Sequence, residues 1–214
     1  MQKAQNVVLL GARRIGKTSF LKTLRDDVNA AVGNDGDIAI FVDAGADRQL
    51  LWFQKNLMHE IIEAAERAKI ELAWIDPGVT YFEELATALK KSSRRFLFLI
   101  DEVDHLLLDT RIGLFEEFVR SMSNTSHARF VLSGYMNLRE RTENRDSFLY
   151  NLFSTIVLGP LARQDAAELV RTQMKRIYIG LESDQVVEDI LDLGSTFASY
   201  VQSMCQMLLK RLDE

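Results

Sequence analysis

The octet Gly11-Ala12-Arg13-Arg14-Ile15-Gly16-Lys17-Thr18 constrains this chain more than any other stretch. It sets two glycines with four residues between them ahead of a Lys and a Thr. Val7-Val8-Leu9-Leu10 before it reads as a strand, and Ser19-Phe20-Leu21-Lys22-Thr23-Leu24 after it reads as a helix. A strand turning this tightly into a helix aims main-chain N–H groups and the positive helix end at one point, which suits phosphate oxygens. Gly11 and Gly16 permit the close backbone approach that this needs. The candidate contacts to a phosphate-bearing nucleotide are therefore Gly11, Ala12, Arg13, Arg14, Ile15, Gly16, Lys17, Thr18 and Ser19. Lys17 would lie against the β- and γ-phosphates, and the Thr18 hydroxyl would ligate Mg²⁺. For Arg13 and Arg14 three environments stay open: phosphate, a neighbouring acidic group, or solvent.

Short runs rich in Val, Ile and Phe stand between longer stretches of helical spacing, the alternation of an α/β protein with a mostly parallel sheet. Five runs read as strands: Asn6 to Leu10, Ile38 to Asp43, Phe96 to Asp101, Arg129 to Ser133 and Thr155 to Leu158. None alternates strictly, as expected of strands covered by helices on both faces. Leu50, Leu51, Phe53, Leu57, Met58, Ile61, Ile62 and Ala65 mark a long amphipathic helix. Asp76-Pro77-Gly78 predicts a turn, and Thr80-Tyr81-Phe82-Glu83 has the form of a capping box opening a helix through Leu89. From Arg163 onward only helical stretches remain, with Gly180 and Gly194 as expected stops. The last carries Phe197, Tyr200, Val201, Met204, Cys205, Leu208 and Leu212 on one stripe, read as core packing.

The apolar run Phe96-Leu97-Phe98-Leu99-Ile100 delivers Asp101 and Glu102 to the carboxyl edge of the sheet, where the metal would be. Asp101 is the expected Mg²⁺ partner, through water, and Glu102 the general base that orients and deprotonates an attacking water. Asp104 is expected to cap the helix through Leu108. Ser133, ending the neighbouring run Phe130-Val131-Leu132, is a candidate sensor of nucleotide state. Arg139, Arg141 and Arg145 follow, and an arginine reaching phosphate in cis or from a neighbouring subunit would stabilise transition-state charge. His59, His105 and His127 lack ligand spacing and are assigned no metal.

Composition narrows the remaining classes. With 47% apolar residues, 2 prolines and 11 glycines, the chain of 214 residues has material for a core and is unlike disordered or collagenous sequences. A net charge of −5 has the wrong sign for a protein living on phosphate backbone. The single cysteine, Cys205, cannot form an internal disulfide and reads as an intracellular core thiol. No apolar run approaches membrane-spanning length, so a cytoplasmic location without membrane contact is expected.

Together, Gly-Ala-Arg-Arg-Ile-Gly-Lys-Thr-Ser-Phe-Leu, the Leu-Ile-Asp-Glu-Val-Asp strand end, Phe-Val-Leu-Ser-Gly and the segment running from Ile156 through Leu158-Gly159-Pro160-Leu161 to Val170 resemble the STAND class of AAA+-like P-loop ATPases. That resemblance covers essentially the whole chain. It implies a P-loop NTPase three-layer α/β sandwich, its five-stranded parallel sheet ordered 5-1-4-3-2, over 1–160. A small all-helical lid subdomain over 161–214 would follow, with Pro160 near the adenine. ATP or ADP with Mg²⁺ would be the cofactors, and members act as nucleotide-dependent switches with self-association or a protein partner. Where relatives carry a Gly-Gly-His-Pro-like element, this chain has Gly194-Ser195-Thr196-Phe197. Relatives usually continue into a winged helix and further domains, whereas this sequence stops at Glu214, as an excised module or short member would.

Three functions compete. The first is an ATP-binding, slowly hydrolysing switch. The second is a non-hydrolysing scaffold with structural nucleotide, and the third is an AAA+-type DNA-associated loader or transposition regulator, disfavoured by the charge. A small-molecule kinase ranks last, because Glu102 better suits activation of water.

Overall fold

The computed structural model describes residues 6–31, 36–45, 49–70, 72, 82–181 and 183–212. Asp76-Pro77-Gly78 and the first two residues of the expected capping box, Thr80 and Tyr81, lie outside them. The chain runs β1 (Asn6–Leu10), α1 (Lys17–Ala30), β2 (Ile38–Asp43), α2 (Leu50–Arg67), α3 (Phe82–Lys91) and β3 (Phe96–Asp101). A 3₁₀ turn over Val103–Leu108 precedes α4 (Ile112–Ser123), β4 (Ala128–Gly134), α5 (Met136–Glu143) and β5 (Phe153–Val157). Three helices close the sequence: α6 (Arg163–Arg176), α7 (Asp184–Gly194) and α8 (Ala198–Leu212).

All five strands are parallel, in the order β2-β3-β4-β1-β5, the expected arrangement read from its other edge. Strand pleat sorts the side chains. Val8, Leu10, Ile40, Val42, Phe98, Ile100, Phe130 and Leu132 fall on one face, in a single buried core with Phe53, Leu57, Phe82, Phe115 and Phe118 of α2, α3 and α4. Aromatic rings knit that layer: Phe98 stacks on Phe130 at 5.1 Å between centroids, and Phe82 on Phe118 at 5.0 Å. On the opposite face Leu9, Leu99 and Val131 are buried, as is Leu21 of α1. The continuous apolar runs of β3 and β4 thus follow from cover on both faces.

Strand β5 departs from that expectation. It begins two residues earlier than Thr155 and leaves Ser154, Thr155, Ile156 and Val157 exposed, Val157 by 70%. As an edge strand it pairs only with β1, so its apolar residues carry no evidence of two-sided burial.

Backbone packing divides the chain into two compact units, one of β1 with Lys17–Val157 and one of Gly11–Gly16 with Leu158–Glu214. Within the second, Ala166, Val170, Met174, Val187, Ile190, Leu191, Val201 and Cys205 form a separate small core. Arg163 of α6 bridges Glu188 and Asp192 of α7 at 2.5 and 2.6 Å. Of the two expected glycine stops, Gly194 ends α7 as read, with the left-handed Ser195 (φ 58°) next to it, whereas α6 ends at Arg176, before Gly180, and the left-handed residue that follows it is Tyr178 (φ 61°). Gly194 also serves packing, since a Cβ there would lie 3.0 Å from Met204 Cγ. The α8 stripe splits, with Val201 and Cys205 buried but Tyr200 and Leu208 exposed. Burial raises the Cys205 thiol above its ordinary pKa, so it is a core thiol as expected.

Candidate functional site

Strand register builds the site. Ile100 of β3 pairs with Leu132 of β4, which brings the next residues along, Asp101 and Ser133, to the same level of the sheet edge. Asp101 is 1% exposed and Ser133 fully buried, and the Ser133 hydroxyl donates to Asp101 Oδ1. Thr18, in the first turn of α1, donates its hydroxyl to Asp101 Oδ2 at 2.5 Å. The Glu102 N–H donates to Oδ1 at 3.0 Å. One buried carboxylate therefore organises Thr18, Ser133 and the Glu102 backbone, as a buried charge must if it is to be compensated. Ser133, expected as a nucleotide sensor, spends its hydroxyl on Asp101.

Glu102 stands in the left-handed region (φ 51°, ψ 40°), a conformation that costs a non-glycine residue about 1–2 kcal/mol. Two main-chain bonds hold it there, its own N–H to Asp101 and the His105 N–H to its carbonyl at 3.1 Å. Strain of this kind concentrates where function fixes a side chain's direction. The Glu102 carboxylate meets His105, with Oε2 3.2 Å from Nε2. Beneath it lies Gly45, where a Cβ would collide with Glu102 Oε2 and sit 3.1 Å from Asp43 Oδ1.

The loop ahead of α1 also departs from ordinary backbone, with Arg14 at φ 63° and Gly16 at φ 109°. Only at Gly16 does that φ require glycine's freedom. Gly11 is held by contact: a Cβ there would lie 2.9 Å from Ile15 Cγ2 and 3.2 Å from the Leu158 carbonyl. Arg13 and Arg14 are exposed, Ile15 is buried, and Ser19 is exposed at the start of α1. Pro160 is exposed between β5 and α6, and the next residue, Leu161, donates its N–H to the Thr196 carbonyl at 3.0 Å.

The other expected positions sort as follows. Asp104 does not cap its own 3₁₀ turn. Its carboxylate crosses to α5, accepting the N–H groups of Tyr135 (2.5 Å), Asn137 (3.0 Å) and Leu138 (3.2 Å). These are the orphan donors of an incoming helix, for which α5 offers no side chain of its own. Arg139 pairs with Glu143 at 2.9 Å on the exposed face of α5. Arg141 reaches Glu116 of α4 at 3.6 Å, and Arg145 is exposed with no ion pair among the described residues. Glu116 is 2% exposed, and desolvation pushes its carboxyl above the ordinary range, against the pull of Arg141 and the Ser147 hydroxyl. Sequence reasoning missed His105, Gly45 and Glu116. His105 had a readable signal in its spacing of three from Glu102 within one turn.

The family model described as AAA domain matches residues 1–142. No curated protein sequence matches the chain. Among solved structures, the Walker-type ATPase PABY2304 of Pyrococcus abyssi superposes with a TM-score of 0.69 at 19% identity, over 94% of this chain and 62% of its own. Cdc6p of Pyrobaculum aerophilum gives a TM-score of 0.64 at 12% identity, over 93% of this chain and 52% of its own. AMPPCP-bound DnaA of Aquifex aeolicus gives 0.60 at 13%, over 94% and 55%. The chain thus spans less than two thirds of each of these proteins, and at such identities the likeness shows the P-loop NTPase fold. With about two thirds of its length, residues 1–142, matched by the family model, the chain belongs to the AAA domain family.

Proposed function

We propose that the chain is an ATP-binding module that hydrolyses ATP slowly and serves as a nucleotide-dependent switch. The observation that carries this reading is the buried Asp101 carboxylate holding Thr18 and Ser133, with Glu102 next to it in a strained conformation. Loop residues Gly11 to Ser19 would hold the phosphates, Lys17 supplying positive charge and the main chain supplying donors.

The donors present suit Mg²⁺. Thr18 Oγ1 and Asp101 Oδ2 are hard oxygen ligands brought together at 2.5 Å. Among the described residues no group of three His, Cys, Asp or Glu side chains forms a metal cage. Two protein oxygens fit an ion that keeps waters and takes its other ligands from substrate phosphates. When bound, such an ion neutralises charge developing on the transferred phosphoryl group. The chain's own residues do the rest: Asp101 orients the Thr18 hydroxyl, Ser133 fixes Asp101, and the Glu102 carboxylate accepts the proton of an attacking water.

At finer grain, the reading is a STAND-class ATPase working in the cytoplasm. It has an ATPase core over 1–160 and a helical lid over 161–214, with Pro160 beside the adenine and self-association or a protein partner downstream. Arg145, exposed and without an ion pair among the described residues, is the one of the three arginines left to reach a neighbouring copy's nucleotide. A DNA-associated role is the second reading, prompted by the fold likeness to the Aeropyrum pernix ORC1 protein, whose structure is of a complex with DNA. It requires retention on DNA that weakens steeply with salt.

Titration of a fluorescent ATP analogue, with and without Mg²⁺, tests the main reading. Lys17→Ala should weaken binding about tenfold or more, one charge-assisted contact being worth about 1.5–3 kcal/mol. Glu102→Gln should bind as the parent does and fail to turn over. Binding indifferent to Lys17→Ala would refute the reading.

A further inference from the structure

We propose that His105 is a positioning residue that fixes the Glu102 carboxylate over Gly45; the inference rests on reading Glu102 as the general base. A glutamate half exposed at a strand end samples many rotamers, and a base that wanders is a poor base. Here two neighbours restrict it. His105 Nε2 lies 3.2 Å from Oε2, with the imidazole 25% and the glutamate 49% exposed. Gly45 offers a floor without a side chain, against which a Cβ would strike the same oxygen. Gly45 is itself tied down, donating its N–H to Asp43 Oδ1 at 2.8 Å.

His105 is in turn held rigidly. It sits on the 3₁₀ turn Val103–Leu108, whose Val103 and Leu106 are fully buried, and Asp104 pins that turn to the start of α5 by three main-chain bonds. The left-handed backbone of Glu102 then directs its side chain back across the turn toward the ring three residues on. Any protonation state with a hydrogen on Nε2 donates to Oε2, so the second oxygen of the carboxylate is the one that faces a proton. This arrangement is the general pattern in which a base is oriented by a third group. Outer-shell groups of this kind typically account for 10- to 100-fold in activity.

The test uses the whole chain and Mg-ATP, with His105→Ala, His105→Gln, Gly45→Ala, Glu102→Gln and the Glu102→Gln/His105→Ala pair. We expect kcat to fall about tenfold in His105→Ala and in Gly45→Ala. KM and the affinity for a fluorescent ATP analogue should stay within about twofold, because neither residue is among the phosphate contacts. His105→Gln, which restores an N–H donor, should recover most of the rate, and adding His105→Ala to Glu102→Gln should change nothing further. An unchanged or raised kcat in His105→Ala, a loss expressed in KM, no rescue by Gln, or additivity with Glu102→Gln would each overturn the proposal. Nitrogen-15 spectra of the imidazole give a readout independent of turnover: Glu102→Gln should shift the His105 Nε2 resonance, and an unmoved resonance overturns the contact itself. Parent-like turnover in Glu102→Gln would instead remove the base reading on which the proposal stands.

Discussion

Replacing Asp104 by alanine should unfasten α5 from the strand end that carries Glu102. The carboxylate accepts three main-chain donors, Tyr135 on Oδ2 and Asn137 and Leu138 on Oδ1. Side-chain caps of this type are worth about 0.5–2 kcal/mol each, and bonds to a charged acceptor about 1.5–3 kcal/mol. Water reaches the exposed Tyr135 and Asn137 once the carboxylate is gone, which brings the sum down to about 3 kcal/mol. For a domain of this size that is a fall of about 6–12 °C in Tm. Asp104→Asn keeps one acceptor oxygen and should cost about half as much. Gly134 supplies the internal check: a Cβ there would collide with Asp104 Oδ2 and lie 2.9 Å from Leu138 Cβ. Gly134→Ala should therefore be destabilising alone and cost distinctly less in the Asp104→Ala background, since the collision with Oδ2 disappears. Thermal unfolding of the four proteins, followed by circular dichroism, measures the coupling. Simple additivity of the two substitutions, or a parent-like Tm for Asp104→Ala, would refute this account of the junction.

Two further outcomes follow from buried or paired carboxylates. Glu116 is held above its ordinary pKa by desolvation, so the folded chain keeps a proton that the unfolded chain releases, and stability falls as pH rises from the unfolded value. Glu116→Gln should remove that slope and gain on the parent as pH increases, which urea unfolding from pH 4 to pH 8 would show. Asp109 behaves oppositely: the Arg111 guanidinium and the main-chain N–H groups of Leu50 and Arg111 lower its pKa to about 2. Its contribution is present above the ordinary value of 3.8 and is lost as pH falls toward about 2. Asp109→Asn should lose stability at neutral pH and show a flatter acid limb, measured by the same unfolding.

The sheet was legible because its signals are local. Each run from Asn6 to Asp101 is bounded by residues that end strands, and the loop from Gly11 to Thr18 identifies the turn between β1 and α1. Strand order came from resemblance, because hydrophobic pattern alone cannot say which buried strand neighbours which. Asp101 and Glu102 were readable from the apolar run before them. That Ser133 would give its hydroxyl to Asp101 was not, since it depends on the register of β3 against β4. The partner of Asp104 is hidden from the sequence for a similar reason. A capping preference names a helix start, and the nearest in sequence was its own turn, whereas the nearest in space was α5. Glu116 was hidden inside an amphipathic helix, four residues from Ile112 on the buried arc, where only tertiary packing reveals that a charge is enclosed. The glycine stop holds at Gly194, where α7 ends, and misses at Gly180, because α6 already ends at Arg176 and Tyr178 takes the left-handed position.

The rate of Mg-ATP hydrolysis per chain, measured across a wide range of protein concentration with Lys17→Ala as the blank, tests the central claim most directly. The expected result is a slow rate above the blank in the parent and a rate equal to the blank in Glu102→Gln, although that variant still binds ATP. If Arg145 completes a neighbour's site, the parent rate also rises with concentration and Arg145→Ala abolishes the rise. A parent that binds ATP yet never exceeds the Lys17→Ala blank would contradict the claim, leaving the nucleotide a structural role.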